Sequence, residues 1–399
     1  MNYIQLEHSY GAHNYHPLPV VLAKGKGCKV WDIQNKEYFD FLSAYSAVNQ
    51  GHCHPTILEA FYSQAQTLTL TSRAFYNNQL GLAEEKMAKL FGYDKVLFMN
   101  TGVEAGESAL KLCRRWGYDV KGIPANQAKI IVAEGNFWGR TLAAISSSTD
   151  PSSFGGFGPY LPGFIKIPYN DLKALELALQ DPYVAGFMVE PIQGEAGVII
   201  PDEGYLKKAF NLCTSKQVLF IADEIQTGLG RTGKRLACDH EQVKPDILLL
   251  GKALSGGFMP VSAVLANDEI MLTIKPGEHG STYGGNPLAA AVTMAALDVL
   301  ENEHLAANAQ ARGTQLLNFL QELQVKSPMI RKVRGKGLLC AIEIEATEDS
   351  DLARNICLQL MEKGLLAKPT HGNIIRLAPP LVITEKEMEE AIQIILSVH

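Results

Sequence analysis

The sequence predicts an α/β fold in which a mainly parallel sheet is covered by helices. Four apolar runs, at 129–133, 186–190, 218–222 and 246–250, are rich in Val, Ile and Leu and too short for helices, so they read as buried strands. Segments of helical length, 203–215 among them, lie between the runs, and this alternation favours parallel pairing through helical crossovers. After Gly284, Gly285 and Asn286 the pattern changes: Pro287 opens an Ala-rich helix, and a smaller α+β region follows.

In chain order, 29–41 reads as a polar strand pair turning at Gln34 and Asn35, and 80–91 as an amphipathic helix. The run 96–99 leads through Asn100, Thr101 and Gly102 into a helix from about 104 to 116. Beyond Pro287 one helix runs to about 302 and another through Leu323; 338–345 is strand-like, 352–363 helix-like and 373–377 strand-like. These transitions divide the chain into an N-terminal segment (1–45), a large domain (46–286) and a small C-terminal α+β domain (287–399). Internal repeats and low-complexity tracts are not evident.

Composition narrows the function. With 399 residues, 47% of them hydrophobic, the chain can bury a large core without disulfide or metal staples. The 42 acidic against 36 basic side chains give a net charge of -6, which disfavours nucleic acid and favours small-molecule partners. Seven cysteines form an odd, dispersed set without a CxxC pair, as expected of reduced thiols. The start, MNYIQLEHSY, resembles neither a signal peptide nor an Arg-rich transit sequence, so a cytoplasmic location is expected. The nearly charge-free stretch 247–266 is no membrane span, because Lys252, three glycines and Pro260 interrupt it.

Two motifs are decoys. Gly228, Gly230 and Gly233 spell GxGxxG, and Gly228 to Lys234 approaches a P-loop, which keeps a nucleotide-binding protein as an alternative of a different class. Against it, Arg235 stands where a P-loop needs Ser or Thr, and 231–239 has no apolar helical period. His52, Cys53 and His54 are the only tight group of metal-ligand types, and as neighbours in a loop they point in different directions.

A stronger constellation begins with Asp223, where the run 218–222 gives way to polar sequence, at the strand end where open α/β sheets bind ligands. Alone it could cap the following turn. Lys252 likewise follows the run 246–250 and precedes Ser255, Gly256 and Gly257. In that setting burial lowers the amine's pKa toward that of a nucleophile, although a snorkelling surface lysine is the ordinary alternative. Asn100 to Glu104 link a strand to a helix, whose first amides suit a phosphate, or make an ordinary turn. Lysine, aspartate and phosphate cradle together suggest pyridoxal phosphate (PLP): its aldehyde takes a lysine, its ring nitrogen a carboxylate, and its phosphate amides and hydroxyls.

With SAYSAVNQGHCHP from Ser43, TLTSRAFYNN from Thr69, MNTGVEAGE from Met99, GNFWGRT from Gly135, VEPIQGEAGV from Val189, ADEIQTGLGRTG from Ala222, LLGKALSGG from Leu249, GEHGSTYGGNPL from Gly277 and KPTHGNIIRLAPPL from Lys368, the sequence resembles the ornithine aminotransferase branch of the class III, fold type I PLP-dependent aminotransferases over almost its whole length. The resemblance implies Lys252 as Schiff-base lysine and proton shuttle, and Asp223 as partner of the ring nitrogen. It implies that Gln226 bonds the ring's phenolic oxygen, that Phe137 stacks on the ring, and that Gly102 and Val103 offer amides to the phosphate. Thr282, with Ser281, would reach that phosphate from the other subunit of a homodimer.

The resemblance further implies a substrate pocket in which Arg140 grips the carboxylate of ornithine, with Tyr15 at the α-amino end and Tyr45 nearby. Arg376 would bind the α-carboxylate of 2-oxoglutarate or glutamate, and Glu195 would mask that cation while ornithine is bound. Read without the resemblance, Arg140, Arg376 and Glu195 are surface charges or a structural ion pair. The activity so implied moves the δ-amino group of L-ornithine to 2-oxoglutarate, giving glutamate and a semialdehyde that cyclises to pyrroline-5-carboxylate. Acetylornithine or 4-aminobutyrate transamination is the sibling alternative, and a structural dimer with a degenerate site the third reading.

Overall fold

The computed structural model describes residues 2–398. Near the N-terminus, β1 (Leu22–Lys26), β2 (Lys29–Asp32) and β3 (Glu37–Asp40) form an antiparallel sheet. The expected turn is present: Asp32 accepts from the amides of Gln34 and Lys36, and Asn35 takes φ 64°, a value asparagine tolerates.

The large sheet has seven strands: β4 (Lys95–Met99), β5 (Lys129–Ala133), β6 (Phe164–Ile167), β7 (Val184–Val189), β8 (Leu219–Asp223), β9 (Ile247–Leu250) and β10 (Ser262–Ala266). Its order is β4-β10-β9-β8-β7-β5-β6, parallel except for β10, which runs antiparallel to both its neighbours. The four expected runs are β5, β7, β8 and β9, with ends shifted by at most two residues. Alternation explains their continuous hydrophobicity. Ile221, Ile247 and Leu249 pack with Leu112, Cys113 and Trp116 of helix Gly102–Asp119, whereas Phe220 and Ala222 pack with Leu206 and Ala209 of helix Tyr205–Ser215.

The C-terminal part contributes a third sheet, β11 (Ile330–Lys336), β12 (Leu339–Ile344), β14 (Lys368–Thr370) and β15 (Ile374–Leu377), in the order β11-β12-β15-β14. The short β13 (Leu365–Leu366) instead pairs in parallel with β3, tying this region to the N-terminal sheet. Helix Pro287–Asn302 begins as expected: Pro287 occupies the first turn and the Asn286 side chain accepts from the Ala289 amide at 2.8 Å. It packs on helices Pro55–Ala65 and Leu80–Phe91.

The decoys resolve into structure. Gly230 and Gly233 have φ of 89° and 90° in a buried turn, and the Arg231 guanidinium donates to the carbonyls of Leu338 and Pro379 and to Asn49. The segment docks the C-terminal region rather than opening a helix. His52 bonds Asp40 and His54 bonds Glu303, so the two imidazoles serve different contacts.

Candidate active site

The C-terminal ends of the parallel strands converge on one edge of the large sheet. Asp223 ends β8, and Lys252 follows β9; the two strands are parallel neighbours with Asp223 opposite Leu249. Glu190 follows β7, and Phe137 and Arg140 lie in the loop after β5. Gly102 begins the helix after β4, whose N-cap Thr101 and third residue Glu104 form a reciprocal capping box.

These residues enclose a cavity of about 250 Å³, lined by Gly102, Val103, Phe137, Asp223, Gln226 and Lys252 among others. A wider cavity of about 930 Å³ adjoins it, lined by Tyr15, Tyr45, Arg140, Glu195, Lys252 and Lys368 among others. A third, of about 430 Å³, runs past Asn100, Thr101 and Gly102. Lys252 lines all three and so stands where they meet. Its backbone is held at φ 46°, a left-handed value that costs a lysine about 1–3 kcal/mol and persists only where the surroundings dictate it.

Electrostatics distinguishes the carboxylates. Burial pushes the Asp223 carboxyl up to about 6, against the pull of the Ile225 amide, which it accepts at 3.0 Å, and of Lys252. Glu190 is pushed well above the carboxylate range by burial and by Asp223, although it accepts from the Phe137 amide at 2.8 Å. Glu195 behaves oppositely: burial raises it, but Arg376 at 2.7 Å, together with Lys252 and the Gln226 hydrogen bond, more than compensates and holds it low. Burial lowers Lys252, and the attraction of Glu195 and Asp223 opposes that shift without cancelling it.

The residues fit PLP. Asp223 is a deeply buried carboxylate facing a cavity, with one amide and no salt-bridge partner among the described residues, so its environment calls for a cation. In the first helical turn the Glu104 amide goes to the Thr101 hydroxyl and the Ala105 amide to the Thr101 carbonyl, which leaves those of Gly102 and Val103 to an anion. Close packing requires glycine here: a Cβ on Gly194 would lie 1.4 Å from the Gln226 amide oxygen, and one on Gly139 2.4 Å from Val103.

The substrate-side residues are placed as follows. Arg376 is buried, donates to both Glu195 oxygens at 2.7 and 3.3 Å, and lies 5.3 Å from the Tyr45 ring. Arg140 donates to Ser153 at 2.8 Å and lies 5.2 Å over the Phe137 ring. Gln226 donates weakly to Glu195 and to the Tyr45 carbonyl, each at 3.4 Å. Tyr15 is largely exposed at the rim of the wider cavity. Ser281 and Thr282 are not among the residues lining these three cavities: Ser281 accepts from Asn100 at 2.9 Å, and Thr282 is exposed.

Comparison with known proteins agrees with this architecture. The family model described as aminotransferase class-III matches residues 10–398. The chain belongs to the class-III aminotransferases. It is therefore a PLP-dependent enzyme of fold type I. It is 68% identical over 389 residues to the rat "Ornithine aminotransferase, mitochondrial", covering 98% of this chain and 88% of the relative. To the Plasmodium falciparum "Ornithine aminotransferase" it is 57% identical, covering 99% and 95%. The crystal structure of ornithine aminotransferase from Toxoplasma gondii superposes with a TM-score of 0.97 at 52% identity, covering 99% and 94%. A structure named acetylornithine aminotransferase, from Elizabethkingia anophelis, superposes with a TM-score of 0.92 at 58% identity, covering 99% and 97%. Among the described residues no helix is long and apolar enough to cross a membrane.

Sequence reasoning missed Glu190, Trp138, Ile225 and Lys368, all of which line the cavities. Glu190 carried the signal that singled out Asp223, a carboxylate closing an apolar run. Lys368 lies 323 residues along the chain from Tyr45, which it meets, and no local pattern marks it.

Proposed function

We propose that the chain is an ornithine δ-aminotransferase, moving the δ-amino group of L-ornithine to 2-oxoglutarate by a ping-pong sequence that yields glutamate and glutamate 5-semialdehyde, which cyclises to pyrroline-5-carboxylate. The observation that carries this reading is the Glu195–Arg376 pair beside Lys252, because it lets one pocket present a masked or a bare cation. When bound, PLP supplies an aldehyde that accepts the amino group and a ring that accepts electrons. Lys252 is the catalytic lysine: burial favours its neutral amine, which would take a proton from the substrate's δ-carbon and deliver it to the cofactor's C4' carbon. Asp223 would keep the ring nitrogen protonated, Gln226 would bond the phenolic oxygen, Phe137 would cover the ring, and Gly102 and Val103 would offer amides to the phosphate.

Arg140 takes the ornithine carboxylate, and Tyr15 and Tyr45 orient the amino acid end. Glu195 neutralises Arg376 during the ornithine half-reaction and leaves it for the α-carboxylate of 2-oxoglutarate. A homodimer completes the phosphate site with Ser281 and Thr282 from the second subunit. The exposed Thr282 and Tyr283, and a helix at Tyr3–Tyr10 with no buried residue, support that assembly. The seven unpaired cysteines suit a reducing compartment such as the cytoplasm.

The sibling specificity for N-acetylornithine is favoured by the names of two neighbours, one 58% and one 32% identical to this chain. Turnover of ornithine, N-acetylornithine and 4-aminobutyrate separates the readings, and preference for either of the last two would overturn the substrate assignment. The mechanism is tested by adding ornithine to holoenzyme and to Lys252→Ala. The wild type should lose its visible absorbance within the dead time of turnover, and the variant on the order of 10³ more slowly.

A further inference from the structure

The wider cavity holds a cation that the functional reading leaves without a task. Lys368, in β14, lines it together with Tyr15, Tyr45, Arg140 and Glu195. Its ammonium donates to the Tyr45 hydroxyl at 3.0 Å and lies 5.3 Å from that ring's centre. Backbone register explains the placement: Lys368 pairs with Arg376, so β14 and β15 deliver two cations beside the same tyrosine.

Tyr45 is itself held in an unusual way. Ser43, Ala44, Tyr45 and Ser46 take φ of 50°, 46°, 60° and 70°, four consecutive non-glycine residues in the left-handed region. Such backbone costs roughly 1–2 kcal/mol per residue and needs external fixing. Asp40 accepts from the Leu42 and Ser43 amides at 2.9 Å, the Ser43 hydroxyl donates to the Ala378 carbonyl, and Gln226 donates to the Tyr45 carbonyl. These contacts fix the main chain, and the Lys368 ammonium meets the hydroxyl at the tip of the ring.

A protonated lysine only donates, so the Tyr45 oxygen must accept from it, and the phenolic hydrogen is left to point elsewhere. We propose that Lys368 is a positioning and specificity residue that turns Tyr45 into a hydrogen-bond donor and, with Arg140, biases the wider cavity toward the second carboxylate of the dicarboxylic oxo acid. This rests on the ornithine and 2-oxoglutarate reading above. With the α-carboxylate taken by Arg376, Arg140 and Lys368 present two positive charges to the oxo acid's other carboxylate alone, whereas the ornithine carboxylate brings its α-ammonium into the same cavity. Lys368 therefore favours the second half-reaction over the first.

The test measures steady-state KM for both substrates, and glutarate binding by calorimetry, on holoenzyme of wild type, Lys368→Met and Lys368→Arg. Loss of one charge-assisted hydrogen bond and its charge should raise the 2-oxoglutarate KM relative to the ornithine KM about tenfold in the Met variant, weaken glutarate similarly, and leave kcat within about twofold. The Arg variant should restore most of the ratio. An unchanged ratio in Lys368→Met, or equal defects in the Met and Arg variants, overturns the assignment of Lys368. Wild type that turns over neither substrate overturns the underlying reading instead.

Discussion

Glu195 and Arg376, 181 residues apart in sequence, meet in a two-point ion pair whose partners differ in mobility. The Arg376 side chain is 3% exposed and sits in β15, paired on both sides, whereas that of Glu195 is 27% exposed and lies within the turn at 194–197. The carboxylate is therefore the partner that can withdraw while the cation stays. Glu195→Gln should leave Arg376 bare in both half-reactions. Ornithine kcat/KM is expected to fall about tenfold or more while glutamate kcat/KM holds or rises. Half-reaction kinetics with each amino acid check this, and equal losses for both would contradict the masking role.

Asp223 sets a pH dependence of the cofactor-free protein. Its carboxyl ionises near 3.8 when unfolded, and burial pushes it up to about 6 when folded. Between those values the folded chain holds more protons than the unfolded one, so stability falls as pH rises through the window and the full penalty persists above it. At about 1.4 kcal/mol per tenfold, that penalty is on the order of 3 kcal/mol. Asp223→Asn should therefore raise the Tm of cofactor-free protein near pH 7.5 and lose the advantage near pH 4. Equal Tm values near pH 7.5 would show that the carboxylate is not held at a cost.

The central strands and the Asp223–Lys252 neighbourhood were legible because each β8 or β9 residue is buried on one face or the other, which writes an unbroken apolar run ended by a functional polar residue. Arg140, Arg376 and Glu195 were not legible from local pattern, since nothing in a single charged residue says which distant charge it meets; family resemblance supplied them. Lys368 escaped both routes, because its contact with Tyr45 spans 323 residues and depends on a strained left-handed turn that no propensity foretells. The glycine-rich decoy read ambiguously for a related reason: close backbone approach is needed both for phosphates and for docking another chain segment.

Arg231 shows the docking role. Its guanidinium is fully buried, and burial lowers its pKa to about 9. It satisfies the Leu338 and Pro379 carbonyls at 2.9 and 2.6 Å and the Asn49 side chain. Arg231→Met relieves the cost of a buried charge but strands three acceptors, for a net loss of about 2–4 kcal/mol. Lys should rescue little, because one ammonium cannot span that fork. Urea unfolding under reducing conditions measures both variants, and wild-type midpoints would refute the clamp.

Arg140 is held by a relay that has its own kinetic signature. Its guanidinium donates to Ser153 at 2.8 Å, and Ser153 donates to Asp150 at 3.0 Å. The Ser152 and Ser153 bonds, together with the charge of Arg140, outweigh burial and hold Asp150 below the usual carboxylate range, so the far end stays anionic. Ser153→Ala removes the link without touching the charge. The guanidinium then loses one of its fixed directions, and ordering it falls to the substrate. KM for ornithine and for 2-oxoglutarate should each rise roughly three- to tenfold with kcat nearly unchanged, the net worth of one hydrogen bond. Arg140→Lys keeps the charge but loses the fork, and should cost more than Ser153→Ala in both KM values. A Ser153→Ala enzyme with lowered kcat and unaltered KM would place Ser153 in the chemistry rather than in the grip.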